Sequence, residues 1–278
     1  MEWRNGICGA TFCIGLLASG AALAADEALI DAPEITIAQE ATGSNGLYIR
    51  GDIGYAGWRD AGDPFYRTFD AGTGSYSTTS FDGARFDKPL SGTIGLGYQI
   101  TDTVRADVTA DYFAGRFDGS SIGASPCAGQ GGGTSCALST TADFSALGLM
   151  ANAYVDFGTL AGFTPYLGAG IGATNLRWNT TFASESCVAG GGACAGVPAT
   201  TSFDGHDSWR FTYALMAGVS YDLSDRLKLD VGYRYSHIGD GEMFGFGAEA
   251  LAGASGTKGF DDGLSRHEIR AGLRFSFW

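Results

Sequence analysis

From Leu47 onward the chain alternates apolar and polar residues with a period of two, in eight segments. That period belongs to a β-strand with two unlike faces and not to a helix. The first segment, residues 47–58, puts Leu47, Ile49, Ile53 and Tyr55 on one face and Tyr48, Arg50, Asp52 and Gly54 on the other. The same alternation recurs over residues 93–100, 104–112, 147–157, 167–174, 210–223, 227–236 and 268–277. The connections alternate in length as well. Three are short (101–103, 158–162, 224–226) and four are long (roughly 59–85, 118–140, 179–207, 240–263). An even number of strands with short turns at one end and long loops at the other is the plan of a bacterial transmembrane barrel. The fold class expected is therefore all-β, an eight-stranded antiparallel transmembrane β-barrel with short periplasmic turns and four long extracellular loops.

Alternation alone does not say which face points inward. A soluble lipocalin-like barrel would turn the apolar face in to hold a ligand. Here the apolar faces end in aromatics, among them Tyr55, Tyr98, Tyr112, Phe157, Phe211, Tyr221, Tyr235 and Phe277, as interfacial girdles do. The polar faces carry full charges of both signs. Both observations place the apolar face in lipid.

Composition agrees. Charged residues make up 17% of the chain, against about 25% in an ordinary globular domain. Outside the N-terminus no apolar run reaches 18 residues, which excludes transmembrane helices. The formal charge of −13, with no Lys/Arg cluster, makes nucleic acid a poor partner. Residues 1–24 read as a secretory signal peptide: Arg4, a short apolar core over 7–18, then Ala22-Leu23-Ala24 before the cut. Residues 25–45, with five acids and no base, read as a flexible periplasmic lead-in, and residues 46–278 as the barrel.

The ending Gly272-Leu273-Arg274-Phe275-Ser276-Phe277 resembles the C-terminal assembly signal of outer-membrane barrels, with Trp278 one residue past the usual terminal aromatic. The opening 46–55, Gly-Leu-Tyr-Ile-Arg-Gly-Asp-Ile-Gly-Tyr, resembles the first strand of small alphaproteobacterial barrels. These are the surface-antigen or porin-family group, related to the OmpA transmembrane domain. Val231-Gly232-Tyr233-Arg234-Tyr235 is similar to that group's seventh strand. The resemblance implies outer-membrane localisation. Its assembly-signal residues would be Gly272, Phe275, Phe277 and Trp278. A shared fold does not fix a function.

Eight strands enclose a space just wide enough for side chains. The inward faces carry Arg50, Arg105, Arg210, Lys228, Arg234, Arg270 and Arg274 against Asp52, Asp107, Asp111, Asp156, Asp222, Asp230 and Glu268. Seven of each sign point to a paired, plugged interior, because an unpaired buried charge is very costly. The alternative is a narrow small-solute or ion channel; a ring of one sign would have favoured it. Inward glycines (Gly95, Gly97, Gly168, Gly170, Gly172) leave room for large neighbours such as Tyr154 or Arg234.

A lipid-modifying enzyme is the remaining class. Of the three histidines, only His237, beside Ser236 and near Asp240 and Glu242, invites comparison with a hydrolase triad. Adjacent strand residues point to opposite faces, so Ser236 and His237 do not converge. No catalytic residue, metal site or cofactor is expected. Four cysteines remain after signal-peptide removal: Cys127 and Cys136 in the second long loop, Cys187 and Cys194 in the third. Three connectivities are possible. Pairing within each loop is favoured, and the intervals do not match a zinc ribbon.

The expected work is non-enzymatic: stabilising the envelope and presenting loops for recognition or adhesion. Expected partners are outer-membrane lipid, the barrel-assembly machinery, and an extracellular protein or glycan. The contact candidates are Trp58, Phe65, Tyr66, Phe69, Phe244 and Phe246. The same aromatics could instead pack over the barrel mouth.

Overall fold

The computed structural model describes residues 46–60, 63–70, 72–87, 89–122, 132–189, 192–193, 199–245 and 256–277. The signal-peptide and lead-in readings lie outside these residues. Sixteen strands are described: β1 (Gly46–Asp60), β2 (Phe65–Asp70), β3 (Ser75–Ser80), β4 (Gly83–Phe86), β5 (Leu90–Gln99), β6 (Val104–Ile122), β7 (Thr134–Asp156), β8 (Phe163–Trp178), β9 (Thr181–Ala189), β10 (Gly192–Ala193), β11 (Ala199–Phe203), β12 (Asp207–Asp222), β13 (Leu227–Ile238), β14 (Gly241–Gly245), β15 (Gly256–Asp261) and β16 (Leu264–Ser276).

Eight of them close a ring. β1 pairs with β5, β5 with β6, β6 with β7, β7 with β8, β8 with β12, β12 with β13, β13 with β16, and β16 returns to β1, all antiparallel. These are the eight segments read from the alternation. Closure removes every edge from the barrel wall, so each backbone group in lipid finds a partner. Ile53, Ile94, Val108, Ile171, Leu215 and Ile269 are exposed on the outside, whereas Arg50, Asp107, Asp111, Arg234 and Glu268 are buried within. On β12, Phe211 and Tyr221 are ten residues apart. At about 3.3 Å per residue and a tilt near 40°, they bracket a band of about 25 Å, the height of an outer-membrane apolar belt.

The bore is narrow enough for side chains of non-adjacent strands to meet across it, Arg50 with Tyr154 and Arg234 with Asp111. A β-carbon at Gly97 would collide with the ring of its register partner Tyr48, and one at Gly168 with that of its partner Tyr154. Glycine at these two places lets each tyrosine lie flat over the neighbouring strand on the inner wall.

Above the girdle the alternation reverses sign. Thr109 and Asp111 face inward on β6, but one turn of the pleat higher it is Phe113 and Phe117 that are buried, while Arg116 and Asp118 face out. On β7, Phe144 and Ala146 are buried and Asp143 is exposed; on β8, Leu176 and Trp178 are buried and Arg177 is exposed. A wall that leaves lipid meets water on its outer face, so polar residues move outward and apolar residues turn in. The switch marks the outer membrane boundary.

The long connections are not irregular loops. β6 and β7 continue as one hairpin from Phe113↔Ala146 out to Ile122↔Ala137. The sheet widens through β4 on β6 and through β9, with β10 and β11, on β7. The first and fourth connections together build a separate four-stranded sheet in the order β14-β15-β2-β3.

Candidate functional site

Two places can carry function: the lumen and the outer end. In the lumen nearly every charge has a partner. Arg50 donates from Nη2 and Nε to the two oxygens of Asp52 (2.8 and 3.0 Å), and from Nη1 to Asp107 Oδ2 (3.2 Å) and the Tyr154 hydroxyl (3.0 Å). Asp111 accepts from Arg234 Nη1 (2.7 Å), Arg270 Nη2 (3.0 Å) and Thr93 Oγ1 (2.6 Å). Glu268 accepts from Arg266 Nη2 (2.8 Å) and from Ser91. Asp230 accepts from Ser220 (2.5 Å) and Arg274 (3.3 Å). Arg105 is completely buried; its Nε reaches both oxygens of Asp156 at 3.1 Å. The rest of its guanidinium lies between the Tyr154 and Tyr166 rings, 4.0 and 4.9 Å from their centroids, a cation–π sandwich.

Three of the charges read as lumenal sit at its ends. Lys228 and Asp222 pair at 2.6 Å on the periplasmic rim, with side chains 30% and 33% exposed. Arg210 belongs to the outer mouth. Its Nη1 binds both oxygens of Asp261 (2.7 and 2.8 Å) and its Nη2 the Glu242 carbonyl oxygen (2.8 Å), tying β14 and β15 to β12. Burial pushes the Asp261 carboxyl above the usual carboxylate range, against the pull of Arg210. Sequence reading missed three buried charges among the described residues: Arg266 and Asp261, one of each sign, and Lys258 of the outer sheet, which pairs with the part-exposed Glu242 at 2.5 Å. Arg266 was within reach: extending the alternation two residues back from Glu268 finds it.

The space left among Arg50, Asp52, Tyr154, Tyr166, Met216, Asp230, Arg234 and Arg270 is about 10 Å³, room for about one water molecule. Above it sits an apolar plug of Phe113, Phe117, Phe144, Trp178, Ile238, Met243, Phe244 and Leu264, with Trp58, Tyr66, Phe81, Phe86 and Phe203 packed against it. Of the contact candidates, Trp58 and Tyr66 are half-buried against this plug and Phe244 is part of it. Phe244 is 2% exposed. The apolar lining of the rim explains this, since its rings have no lipid to face and bury against one another. Phe65 stacks on Phe260 (centroids 5.4 Å apart) and Phe69 on Tyr76 (4.8 Å), both half-buried in the outer sheet. Phe246 lies outside the described residues.

A larger, open depression of about 940 Å³ lies on the membrane face over Gly51, Gly92, Ala110 and Ala271, flanked by Ile53, Ile94 and Leu273. Its small residues leave it shallow and open toward the lipid side of the wall. Phe275 and Phe277 are exposed at the periplasmic end, edge to face at 5.7 Å. Gly272 abuts the Asp52 carboxylate, and Trp278 lies outside the described residues.

The histidines do not form a triad. Ser236 is buried and faces in; His237 faces the other way, with Nδ1 3.0 Å from Ser265 Oγ. His206 Nε2 is bound at the Gly245 carbonyl oxygen (2.9 Å), and His267 meets the Tyr233 hydroxyl. Among the described residues no carboxylate hydrogen-bonds to a histidine, and no cluster of three or more acids, histidines or cysteines could hold a metal. Cys136 and Cys187 are both disulfide-bonded and stand opposite each other between β7 and β9. Cys127 and Cys194 lie outside the described residues.

Comparison with known proteins matches residues 14–277 to the outer membrane protein beta-barrel domain. An uncharacterized protein of Brucella abortus (strain 2308) is 36% identical over 99% of both chains. A protein of Rickettsia bellii (strain OSU 85-389), described as a candidate adhesin, is 28% identical over 77% of this chain and 88% of its own. Among solved structures, the outer membrane protein OprG of Pseudomonas aeruginosa aligns at 16% identity with a TM-score of 0.47. Neisserial surface protein A aligns at 20% and 0.42; each alignment covers 84% of this chain and 97% of the other. With a closed ring of eight strands, a lipid-facing apolar belt and a family match over nearly its whole length, this chain belongs to the outer-membrane β-barrel family and resides in the outer membrane.

Proposed function

We propose that the protein is a non-enzymatic surface barrel that stabilises the envelope and presents its outer sheets to an extracellular protein or glycan. One observation carries this reading. The residues spent on the outer connections are folded into two ordered sheets, while the lumen is filled and its mouth closed by packed rings. A channel has no use for either feature. The name of the Rickettsia relative points the same way. The test is adherence of a deletion strain to cultured cells, complemented with the full chain or with β2–β3 and β14–β15 each replaced by a short turn. The full chain is expected to restore adherence and the trimmed chain to assemble without restoring it. Equal adherence of the two strains would contradict the reading, and an altered lipid A profile in the deletion strain would favour an enzyme.

The outer connections are proposed to be stapled locally, Cys127 to Cys136 and Cys187 to Cys194. Each bond closes a small loop, for which chain entropy gives about 2–3 kcal/mol acting on the loop itself. Reduction should therefore open cleavage near residues 129–133 and 190–192 while the barrel survives. Non-reducing peptide mapping is expected to return the two local pairs. A peptide joining Cys136 to Cys187, its neighbour in register, would overturn the arrangement.

The proposed partner in biogenesis is the barrel-assembly machinery, reading the terminal aromatics. Deleting Phe277 and Trp278 together is expected to leave the protein in the periplasm, unlike deletion of Trp278 alone. Normal surface proteolysis of the double deletion would show that recognition lies elsewhere.

A further inference from the structure

The outer sheet β14-β15-β2-β3 has two ends, and they are treated differently. β14 is bulged between Glu242 and Phe244, its Met243 and Phe244 are buried, and Arg210 grips its backbone. β3 is open. Among the described residues it pairs with β2 alone, in unbroken register from Asp70↔Ser75 to Phe65↔Ser80. Five of its six residues are exposed and Thr79 is half-buried. In an antiparallel strand alternate residues direct their N–H and C=O to opposite edges, so half of the β3 backbone groups face water. Natural sheets blunt such an edge with proline, lysine, a bulge or a covering segment. Ser-Tyr-Ser-Thr-Thr-Ser carries no proline, charge or bulge, and among the described residues no strand pairs with its outer edge.

Beside the edge, the exposed Arg67 guanidinium lies over the Tyr76 ring at 5.4 Å, and Phe69 packs on the same ring. Tyr76 is thus held upright next to a cation, on a chain whose net charge is −13.

We propose that the free edge of β3 is a strand-addition site for an extended segment of an extracellular protein, with an acidic or uncharged residue facing Tyr76 and Arg67. This rests on the recognition role proposed above and gives it a mode. A row of unpaired main-chain donors and acceptors matches in spacing the free edge of another extended main chain, whereas a helix has already bonded its own main-chain groups. Main-chain bonds then supply affinity, and the side chains alternating beside Tyr76 and Thr78 supply selectivity.

The test uses the purified full-length protein in lipid nanodiscs and a labelled, end-capped hexapeptide, Thr-Glu-Thr-Val-Thr-Val. Two further peptides carry N-methyl groups on alternate residues, one series on each edge. Saturable binding is expected, lost on methylation of one edge and retained on methylation of the other, and weakened about tenfold or more when the glutamate becomes lysine. Of Ser77→Pro and Thr78→Pro, the one whose N–H faces solvent is expected to fold normally and lose binding. No binding to the unaltered protein, or equal binding of both methylated peptides, would overturn the proposal. So would equal binding by a folded proline variant. Adherence is read separately: retained adherence with no peptide binding overturns the strand-addition site and leaves the recognition role standing. Peptide binding without adherence keeps the site and removes that role.

Discussion

Asp111→Ala is expected to destabilise the barrel by about 3–5 kcal/mol, because removing one partner of a buried ion pair leaves an uncompensated charge. Asp111 is the one carboxylate within salt-bridge reach of Arg234 among the described residues, and it shares Arg270 with Glu268. All of these groups are buried. Asp111→Asn keeps the shape and the Thr93 hydrogen bond and should cost less. The contrast is Asp143→Ala, which breaks a 2.8 Å pair with Arg116 above the membrane, where the side chains are 54% and 57% exposed. That pair is screened by water, and its loss should cost at most about 1 kcal/mol. Urea unfolding in lipid vesicles measures both. Similar losses for Asp111→Ala and Asp143→Ala would mean that the lumen is hydrated and its charges are not dependent on one another.

The second large effect is on the opposite face. Ile94 is 71% exposed, lies near the middle of the apolar belt and borders the open depression on the membrane side. Ile94→Arg should cost about 2–4 kcal/mol, falling to about 0–1 kcal/mol near the interfaces. Leu229 supplies the interfacial comparison. It stands opposite Tyr221 of the periplasmic girdle and is only half exposed. Leu229→Arg should therefore be the milder substitution. Equal unfolding free energies for the two variants would place the belt wrongly.

What was legible in the sequence was whatever follows a period of two in one polarity. All eight wall strands and their facing followed from it, as at Arg50 inside and Ile49 outside. The rim was not legible, because there the polarity reverses while the period continues. Phe113 and Phe117 extend the inward row of Thr109 and Asp111, but as rings they look like the outward row of Val108 and Tyr112. Seen as one unbroken strand, the reversal at residues 111–113 locates the membrane boundary. The outer sheet was hidden for another reason. In β3, Ser and Thr occupy both faces, so no hydropathy contrast marks a strand, and its pairing with β2 depends on a contact within a stretch that reads as loop. Arg210 was placed in the lumen because it continues the inward row of β12. Its partner Asp261 lies 51 residues away, in a connection that alternation did not describe.

On the function proposed, the barrel is sealed and works at its outer surface. The direct measurement is the conductance of the purified, folded protein in a planar lipid bilayer at high salt. With about 10 Å³ left among Arg50, Tyr154, Tyr166 and Arg270, and a plug of packed rings above, the expected trace stays at the bilayer baseline at moderate voltages. Asp111→Ala should be the variant that first shows transient openings. Reproducible, stable current steps from the unaltered protein would contradict the account and assign the chain to the channels.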